Sequence, residues 1–352
     1  MISDRHAQSR GVSRWLVTLV VLLGTRQLAA QFVRPEKPDD PRIWGIEGGI
    51  VVGVFPDFHD SLDRVGPRGL IRLGLLVDGK PQLINFVSVE PLVGKSRGLS
   101  ELERSEDGEP GKRFRLSNRA DQKPRDDDRA VRGVVRNTKA GRVLSFAIHV
   151  DPFANGARAI VEVSLFEKEP SRVCFRTFAA DGSAPIDELT LSATMGNMAR
   201  VRSLWLEKGP VSSLDIYRGY NGDRFIEKSA YPLDTLHRTK RGEVVLAVTP
   251  DEFDAREAWP FADGGWRCPV GWRTQYWLKR KGEFDDSIVC RVNGRRTYWR
   301  SKVSLPGGIA YENFEFREKF HAGQESWFGI DERSPAELFG FSYDLPPRKP
   351  LL

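Results

Sequence analysis

Residues 311–318 contain the side chains best suited to acid/base chemistry. Apolar residues alternate there, which predicts a strand with Glu312 on the same face as Phe314 and Phe316. A carboxylate in line with two core phenylalanines is costly to bury without a partner, and burial raises its pKa. Glu312 is therefore a candidate general base or acid, with Glu315 beside it. The alternatives are an edge position or a structural glutamate paired with an arginine.

Tryptophan and tyrosine are concentrated just before this strand, within residues 266–299. Sugar rings stack their C–H faces on aromatic planes, while their hydroxyls need directional polar partners. The predicted substrate-binding residues are Trp272, Gln275, Trp277, Tyr298, Arg300, Asn313 and Arg317. Strand alternation places Gln275, Trp277 and Lys279 on one face, and we expect that face to be accessible. An aromatic layer of the core is the alternative.

Three other residues interrupt or end apolar strands. Arg72 lies inside one, Glu90 ends another just before a proline, and Arg97 follows shortly. They could pair as a structural bridge or line a pocket. Residues 94–98 also match Gly-x-Ser-x-Gly, but a nucleophile elbow needs a strand before it, a helix after it and a parallel sheet. The chain lacks alternating strands and helices, so the pattern does not indicate an esterase.

The first thirty residues have the layout of a secretory signal peptide. Three arginines, the last of them Arg14, precede an apolar run at residues 15–23, and small residues at 28–30 offer a cleavage site. The apolar run is shorter than the ~20 residues that span a bilayer. We therefore predict a secreted or periplasmic protein with no membrane contact, the alternative being an uncleaved N-terminal anchor.

Composition excludes several other classes of function. The net charge of +6 falls to +3 once the leader, with four arginines and one aspartate, is removed. No basic cluster interleaved with aromatics is present, so we predict no nucleic-acid partner. Cys174, Cys268 and Cys290 have no metal-binding spacing; one disulfide is possible, but three buried thiols are favoured. No metal, phosphate or dinucleotide motif occurs, so we predict no metal and no cofactor.

The elements that must position these residues are strands. Apolar, β-branched runs at 50–55, 70–77 and 83–89 predict adjacent antiparallel strands. Residues 142–178 alternate in period 2 between turns at Asn155-Gly156 and at 167–170, which predicts a meander. Further strands are predicted as a hairpin at 287–300, with its turn at Asn293-Gly294, and as a run at 309–316.

Two segments look different from the strands. Residues 31–42 are rich in proline and charge and predict an extended linker. Residues 104–129 contain too little apolar surface to order themselves, which predicts a long loop. Short helices are predicted at 99–106 and 250–258. The whole pattern indicates an all-β fold, a large antiparallel sandwich or supersandwich with long loops, forming one domain over residues 43–352.

The segment Gly307-Gly308-Ile309-Ala310-Tyr311-Glu312, followed by Gly323-Gln324-Glu325 and a closing strand, resembles the C-terminal part of galactose mutarotase-like proteins. The resemblance implies a β-supersandwich and a sugar-facing site with Glu312 as the catalytic base. The epimerases of that superfamily carry histidines in an Asn-x-His-type motif, which this chain lacks. By position alone, His149 is the candidate acid.

Two functions follow from these patterns. The first is an exported carbohydrate-active enzyme of hydrolase, lyase or epimerase type, with Glu312, Glu315 and His149 as catalytic residues. The second is a non-catalytic carbohydrate-binding or cell-envelope β-sandwich protein. The enzyme requires Glu312 or Glu315 to reach an aromatic-lined cleft beside a second titratable group. Carboxylates sealed against arginines favour the second function.

Overall fold

A computed structural model describes residues 31–54, 71–98, 114–124, 130–194, 200–250, 274–297 and 302–345. The predicted leader and the predicted helix at 99–106 lie outside these residues, as does all but the first residue of the predicted helix at 250–258. The all-β prediction is confirmed, because two antiparallel sheets pack face to face as a sandwich. Within the described residues, no helix is both long enough and apolar enough to cross a membrane.

The first sheet has ten strands, in the spatial order β1-β2-β3-β4-β5-β12-β20-β19-β15, with β6 paired to β5. Their bounds are β1 Phe32–Val33, β2 Ile43–Ile46, β3 Ile50–Val54, β4 Ile71–Val77, β5 Lys80–Val93, β6 Ser96–Arg97, β12 Glu188–Thr194, β15 Ser229–Pro232, β19 Val289–Arg295 and β20 Ala310–Lys319.

The second sheet has eleven strands, in the order β14-β13-β17-β18-β21-β11-β10-β9-β7, with β16 paired to β17 and β8 to β9. Their bounds are β7 Phe114–Ser117, β8 Val134–Thr138, β9 Gly141–Val150, β10 Ala159–Phe166, β11 Arg172–Ala179, β13 Val201–Leu206, β14 Gly209–Ser212, β16 His237–Arg238, β17 Val244–Pro250, β18 Thr274–Lys279 and β21 Gln324–Asp331. Two short α-helices, α1 (Ser213–Ile216) and α2 (Pro335–Phe339), and one 3₁₀-helix, Leu233–Thr235, complete the described elements.

Turn residues fix the register of the predicted hairpins. Asp78 and Gly79 both have positive φ, 51° and 70°, and join β4 to β5. Such a two-residue turn matches the twist of the flanking strands. Asn155 and Gly156 join β9 to β10, where the Asn155 side chain accepts a hydrogen bond from the Ala157 amide at 3.1 Å. The three strands and the meander predicted from alternation are therefore confirmed.

The main core lies between the two sheets. Leu144, Phe146 and Ile148 point inward from β9, as their alternation predicts, and are fully buried. Phe146 stacks on Trp44 of the opposite sheet, with ring centroids 4.0 Å apart. Such contacts across a sandwich hold the inner faces of the two sheets together and do not involve their outer faces.

A second apolar cluster covers part of the outer face of the eleven-stranded sheet. Trp205, Tyr276 and Trp327 lie on that face and are buried by the segment after β21. Tyr343 stacks on Trp205 with centroids 4.9 Å apart, and Phe339 packs edge-to-face on Tyr276 at 4.8 Å. The C-terminal segment is therefore part of the folded unit.

The predicted hairpin turn at Asn293-Gly294 is wrong. Both residues lie inside β19, where the pairing with β20 shifts by one residue at a β-bulge. Gly294 is needed there because a Cβ at this position would lie 2.7 Å from the Ala310 carbonyl oxygen. Glycine in a strand therefore marks a close approach of two backbones here, as it does at many bulges.

Two segments predicted to lack regular structure contribute strands. Phe114 and Leu116 lie within the predicted loop but form β7, which pairs with β9 and buries both side chains in the core. Phe32–Val33, in the predicted linker, pairs with β2. In each case two apolar residues gain enough burial from an existing sheet edge to be ordered, although their own segment is polar.

Candidate functional site

The outer face of the ten-stranded sheet carries buried polar side chains. In a sandwich this face normally meets water, so buried polar groups there need partners or a ligand. They come from neighbouring strands and are spaced two residues apart, opposite the apolar residues of the core. The members are Arg72, Ser88, Glu90, Thr190, Ser192, Thr194, Asn293, Asn313 and Glu315. We call this set the polar face.

Glu315 lies at the centre of the polar face and is fully buried. Its Oε2 accepts a hydrogen bond from the Lys228 ammonium at 2.5 Å. Its Oε1 lies 4.0 Å from Nε of Arg291, which occupies the position directly opposite on β19. Burial lowers the pKa of Arg291, although the Glu315 charge opposes that effect. Two cations therefore compensate one buried carboxylate.

Glu90 is the second carboxylate of the polar face. Its Oε1 accepts a hydrogen bond from the Ser88 hydroxyl at 3.0 Å, and its Oε2 lies 3.3 Å from Nη1 of Arg97. Burial raises the pKa of Glu90, and the negative charge of Glu315 raises it further, while Lys228 and Arg97 act in the opposite direction. The charge of Glu315 therefore acts on the protonation of Glu90.

Strand register explains why these two residues meet. Glu90 on β5 is opposite Thr190 on β12, and Thr190 is opposite Arg317 on β20. Glu315 lies two residues from Arg317 and so points to the same face. Only β12 separates the two strands, and it presents the small residues Thr190 and Ser192 between the two carboxylates. Short side chains there leave room for the longer glutamates to approach each other.

This arrangement resembles a general acid beside a general base. A carboxyl group with a raised pKa retains its proton to higher pH, which suits a proton donor. A second carboxylate held by an ammonium group suits a proton acceptor. Arg72 lies on the same face, and burial lowers its pKa to about 9. Perturbed pKa values of this kind cluster at functional sites, although structural ion-pair networks also produce them.

Two of the predicted binding residues belong to the polar face or its border. Asn313 is buried there and accepts a hydrogen bond from the Thr194 hydroxyl at 2.5 Å. Arg317 is partly exposed and forms an ion pair with Glu188. The structure therefore brings Glu315, Asn313 and Arg317 together on one face, as their alternation predicts.

Glu312 lies at the β-bulge between β19 and β20. Asn293 pairs with Asn313, whereas Gly294 pairs with Tyr311, so Glu312 is the inserted residue. An inserted residue interrupts the alternation of a strand, so the face of Glu312 does not follow from the face of Phe314. The prediction that the two side chains share a face therefore has no support. Glu312 is nevertheless buried, with only 1 % of its surface exposed.

The predicted accessibility of Gln275 and Trp277 is wrong. Both point into the space between the sheets and are buried. Trp277 donates a hydrogen bond from Nε1 to the Phe314 carbonyl oxygen at 3.1 Å, and Gln275 accepts one from the Asn85 amide. The aromatic layer of the core, which was the alternative, describes this strand correctly.

His149 does not join Glu312 and Glu315. It lies on the outer face of the eleven-stranded sheet, opposite Ile160 and Arg115, whereas Glu315 is on the outer face of the other sheet. Its Nε2 is 2.8 Å from the Ser117 hydroxyl. Burial, with help from the Arg115 charge, lowers the pKa of His149 to about 4. His149 therefore cannot act beside Glu315, because the two residues lie on opposite outer faces of the sandwich.

Other predicted residues divide between the described structure and the rest of the chain. Trp272, Tyr298, Arg300 and Cys268 lie outside the described residues. Cys174 and Cys290 are buried free thiols, as favoured from the sequence, and burial raises the pKa of both well above the usual range.

The structure rules out the nucleophile elbow at residues 94–98. Ser96 and Arg97 form β6, which pairs antiparallel with Leu92 and Val93 of β5. The segment is therefore a hairpin return, without the strand-to-helix turn that exposes a nucleophilic serine. Arg97 instead forms an ion pair with Glu90. Of the two roles left open for these residues, a structural bridge or a pocket lining, the bridge is confirmed.

Sequence reasoning missed Lys228 and Arg291. Lys228 precedes a short edge strand, and Arg291 lies in β19, where a turn at Asn293-Gly294 predicts the wrong register. The sequence contains one signal for Arg291: it lies between Cys290 and Val292, which face the core, so alternation places it on the outer face. Glu90 was noticed, but its partner could be identified only once β5, β12 and β20 were known to be neighbours.

Comparisons with known proteins do not extend this description. No protein-family model matches the chain, and no curated protein is significantly similar to it.

Proposed function

We propose that the chain is an exported carbohydrate-active protein whose acid/base pair is Glu90 and Glu315. The observation that supports this proposal is the pair of interacting buried carboxylates on an outer sheet face, one of them with a raised pKa. Hydrolysis, elimination and epimerisation of sugars all use one or two such groups. The proposal moves the key role from Glu312 to Glu315 and Glu90.

The roles of the two carboxyl groups follow from their surroundings. Glu90, with its raised pKa, supplies a proton to a departing or ring oxygen. Glu315, in contact with the Lys228 ammonium, accepts a proton from the substrate or from water. Arg97, Arg291 and Arg317 are partly exposed at the border of the pair and supply donors for sugar hydroxyls.

A non-catalytic glycan-binding protein is the second candidate. The observation that favours it is the enclosure of both carboxylates, the arrangement expected of this function from the sequence: Glu315 is fully buried against Lys228 and Arg291, and Glu90 is buried against Arg97. The core position of Trp277 also removes one aromatic residue from the predicted cleft. In this alternative the polar face stabilises the sheet, and binding occurs elsewhere on the protein.

The test uses the mature protein, residues 31–352, on a glycan array, with reducing-end release and unsaturated-product absorbance measured for each glycan that binds. We expect Glu90→Gln and Glu315→Gln each to lower turnover by about 10²–10⁴-fold while binding is retained, because general acid/base catalysis contributes this much.

The matched control is Glu318→Gln. Glu318 is also buried, lies on the same strand as Glu315, has a raised pKa and contacts a lysine, Lys279, but it faces the core. Turnover should survive this change in protein that remains folded. Turnover unaffected by Glu90→Gln and Glu315→Gln would refute the acid/base assignment. Binding without any turnover would favour the non-catalytic glycan-binding protein. No binding at all would contradict a carbohydrate ligand for both candidates.

A further inference from the structure

A cavity of about 680 Å³ opens on the outer side of the eleven-stranded sheet. It lies between the β10–β11 turn, the β16–β17 turn and the end of α2, with Tyr276 of β18 among its lining residues. This volume is within the range of pockets that hold small organic ligands. The cavity is remote from Glu90 and Glu315, which lie on the outer face of the other sheet.

One wall of the cavity is apolar. Tyr276 and Phe339 pack edge-to-face there, beside Leu338. The Tyr276 ring occupies its place because residue 329 is glycine, since a Cβ at Gly329 would lie 2.0 Å from the ring. Burial raises the pKa of Tyr276 to about 12, so the phenol stays neutral. This wall can accept an apolar or saccharide surface.

Two of the three carboxylates that line the cavity are paired with arginines, and the third, Glu243, accepts a hydrogen bond from a hydroxyl. Glu169 contacts Arg172 at 2.7 Å and Arg280 at 3.1 Å. Asp331 receives two hydrogen bonds from the Arg333 guanidinium, at 2.9 and 2.7 Å. The Thr239 hydroxyl donates to the third carboxylate, Glu243, at 3.0 Å.

Three further cationic side chains line the cavity. Lys168, Lys240 and Arg241 are exposed at the two turns, and none of them forms an ion pair with a described residue. The cavity therefore combines an apolar wall with a surplus of positive charge at its mouth. Arginine and lysine at such a position attract carboxylate, sulfate and phosphate groups.

We propose that this cavity binds a small organic oxyanion, with the anionic group at Lys168 and Arg241 and the body of the ligand against Phe339 and Leu338. Carboxylate, sulfate and phosphate groups share the chemistry that these residues recognise. The inference does not depend on the acid/base pair of the other sheet, so either proposal can fail without the other.

The test is isothermal titration calorimetry of the purified protein with glucuronate, glucose 6-phosphate, glucose and inorganic phosphate. We expect the two sugar anions to bind saturably, with an affinity that falls as salt is added, and glucose to bind at least about tenfold more weakly. Inorganic phosphate should also bind more weakly, because it cannot use the apolar wall.

The Lys168→Ala/Arg241→Ala variant removes two of the three lining cations that form no ion pair with a described residue, both from exposed turns. We expect it to raise the Kd of the sugar anions about tenfold. The control, Lys80→Ala/Arg218→Ala, removes the same charge from exposed positions that do not line the cavity and should leave the Kd unchanged. Equal Kd values for the two variants, equal binding of glucose or inorganic phosphate, or no binding of either sugar anion would overturn the proposal.

Discussion

Replacing Lys228 with methionine tests how the polar face is held together. The ammonium contacts Glu315, whose side chain is fully buried, while the Lys228 side chain is 14 % exposed. Removing one partner of a buried ion pair costs about 3–5 kcal/mol, because the remaining charge is left buried without compensation. Lys228 retains some contact with water, and Arg291 still lies near Glu315, so we expect a loss of about 3 kcal/mol at neutral pH.

The loss should depend on pH in a defined direction. Lys228 lowers the pKa of Glu90, so its removal raises that pKa further above the unfolded value. A carboxyl group with a raised folded pKa binds more protons in the folded state, and its unfavourable contribution grows as pH rises through that pKa. The difference in stability between the variant and the wild type should therefore be largest at neutral pH and smaller in acid.

Urea unfolding followed by tryptophan fluorescence, at neutral and acidic pH, measures both effects. The Lys228→Met/Glu315→Gln variant removes both charges and should regain most of the lost free energy of unfolding. A loss below about 1 kcal/mol for Lys228→Met, no recovery in the double variant, or a deficit that does not shrink in acid would each refute this account of the pair.

Two further predictions concern residues whose environment differs from that expected from the sequence. Trp277→Ala should lower the free energy of unfolding by about 3–5 kcal/mol, measured by urea denaturation, because the side chain fills the core; an unchanged midpoint would contradict its placement. His149 should titrate near pH 4 by NMR, and its stabilising contribution, complete above its unfolded pKa of 6.5, should be lost as pH falls towards 4. His149→Gln should remove that part of the acid sensitivity, and an ordinary histidine titration would show that Ser117 and Arg115 do not enclose the ring.

Much of the sheet structure can be predicted from local patterns. Alternation between turn residues identifies β9, β10 and β11, and Asp78-Gly79 identifies the hairpin of β4 and β5. These predictions succeed because period-2 burial and positive φ are properties of a few consecutive residues. The same local reasoning fails at Asn293-Gly294, because a turn and a bulge both use glycine and only the partner strand distinguishes them.

The side of a strand that faces the core is harder to predict when both sides are buried. On β18, Gln275 and Trp277 face the main core, while Tyr276 and Leu278 are buried on the opposite side by the C-terminal segment. Mixed polarity on both faces led to the wrong expectation that the Trp277 side was accessible. The covering segment follows at the end of the chain, so no property of β18 itself could reveal it.

The sequence by itself determined the all-β class, most strand positions and the common strand face of Glu315, Asn313 and Arg317. Only the tertiary structure decided that Glu315 meets Glu90 and Lys228, and that His149 lies on the far side of the sandwich. The physical reason is that alternation and turn conformation are local, whereas strand order is set by burial summed over the whole core. Residues far apart in the chain become partners only when the order β5-β12-β20-β19-β15 brings them to one face.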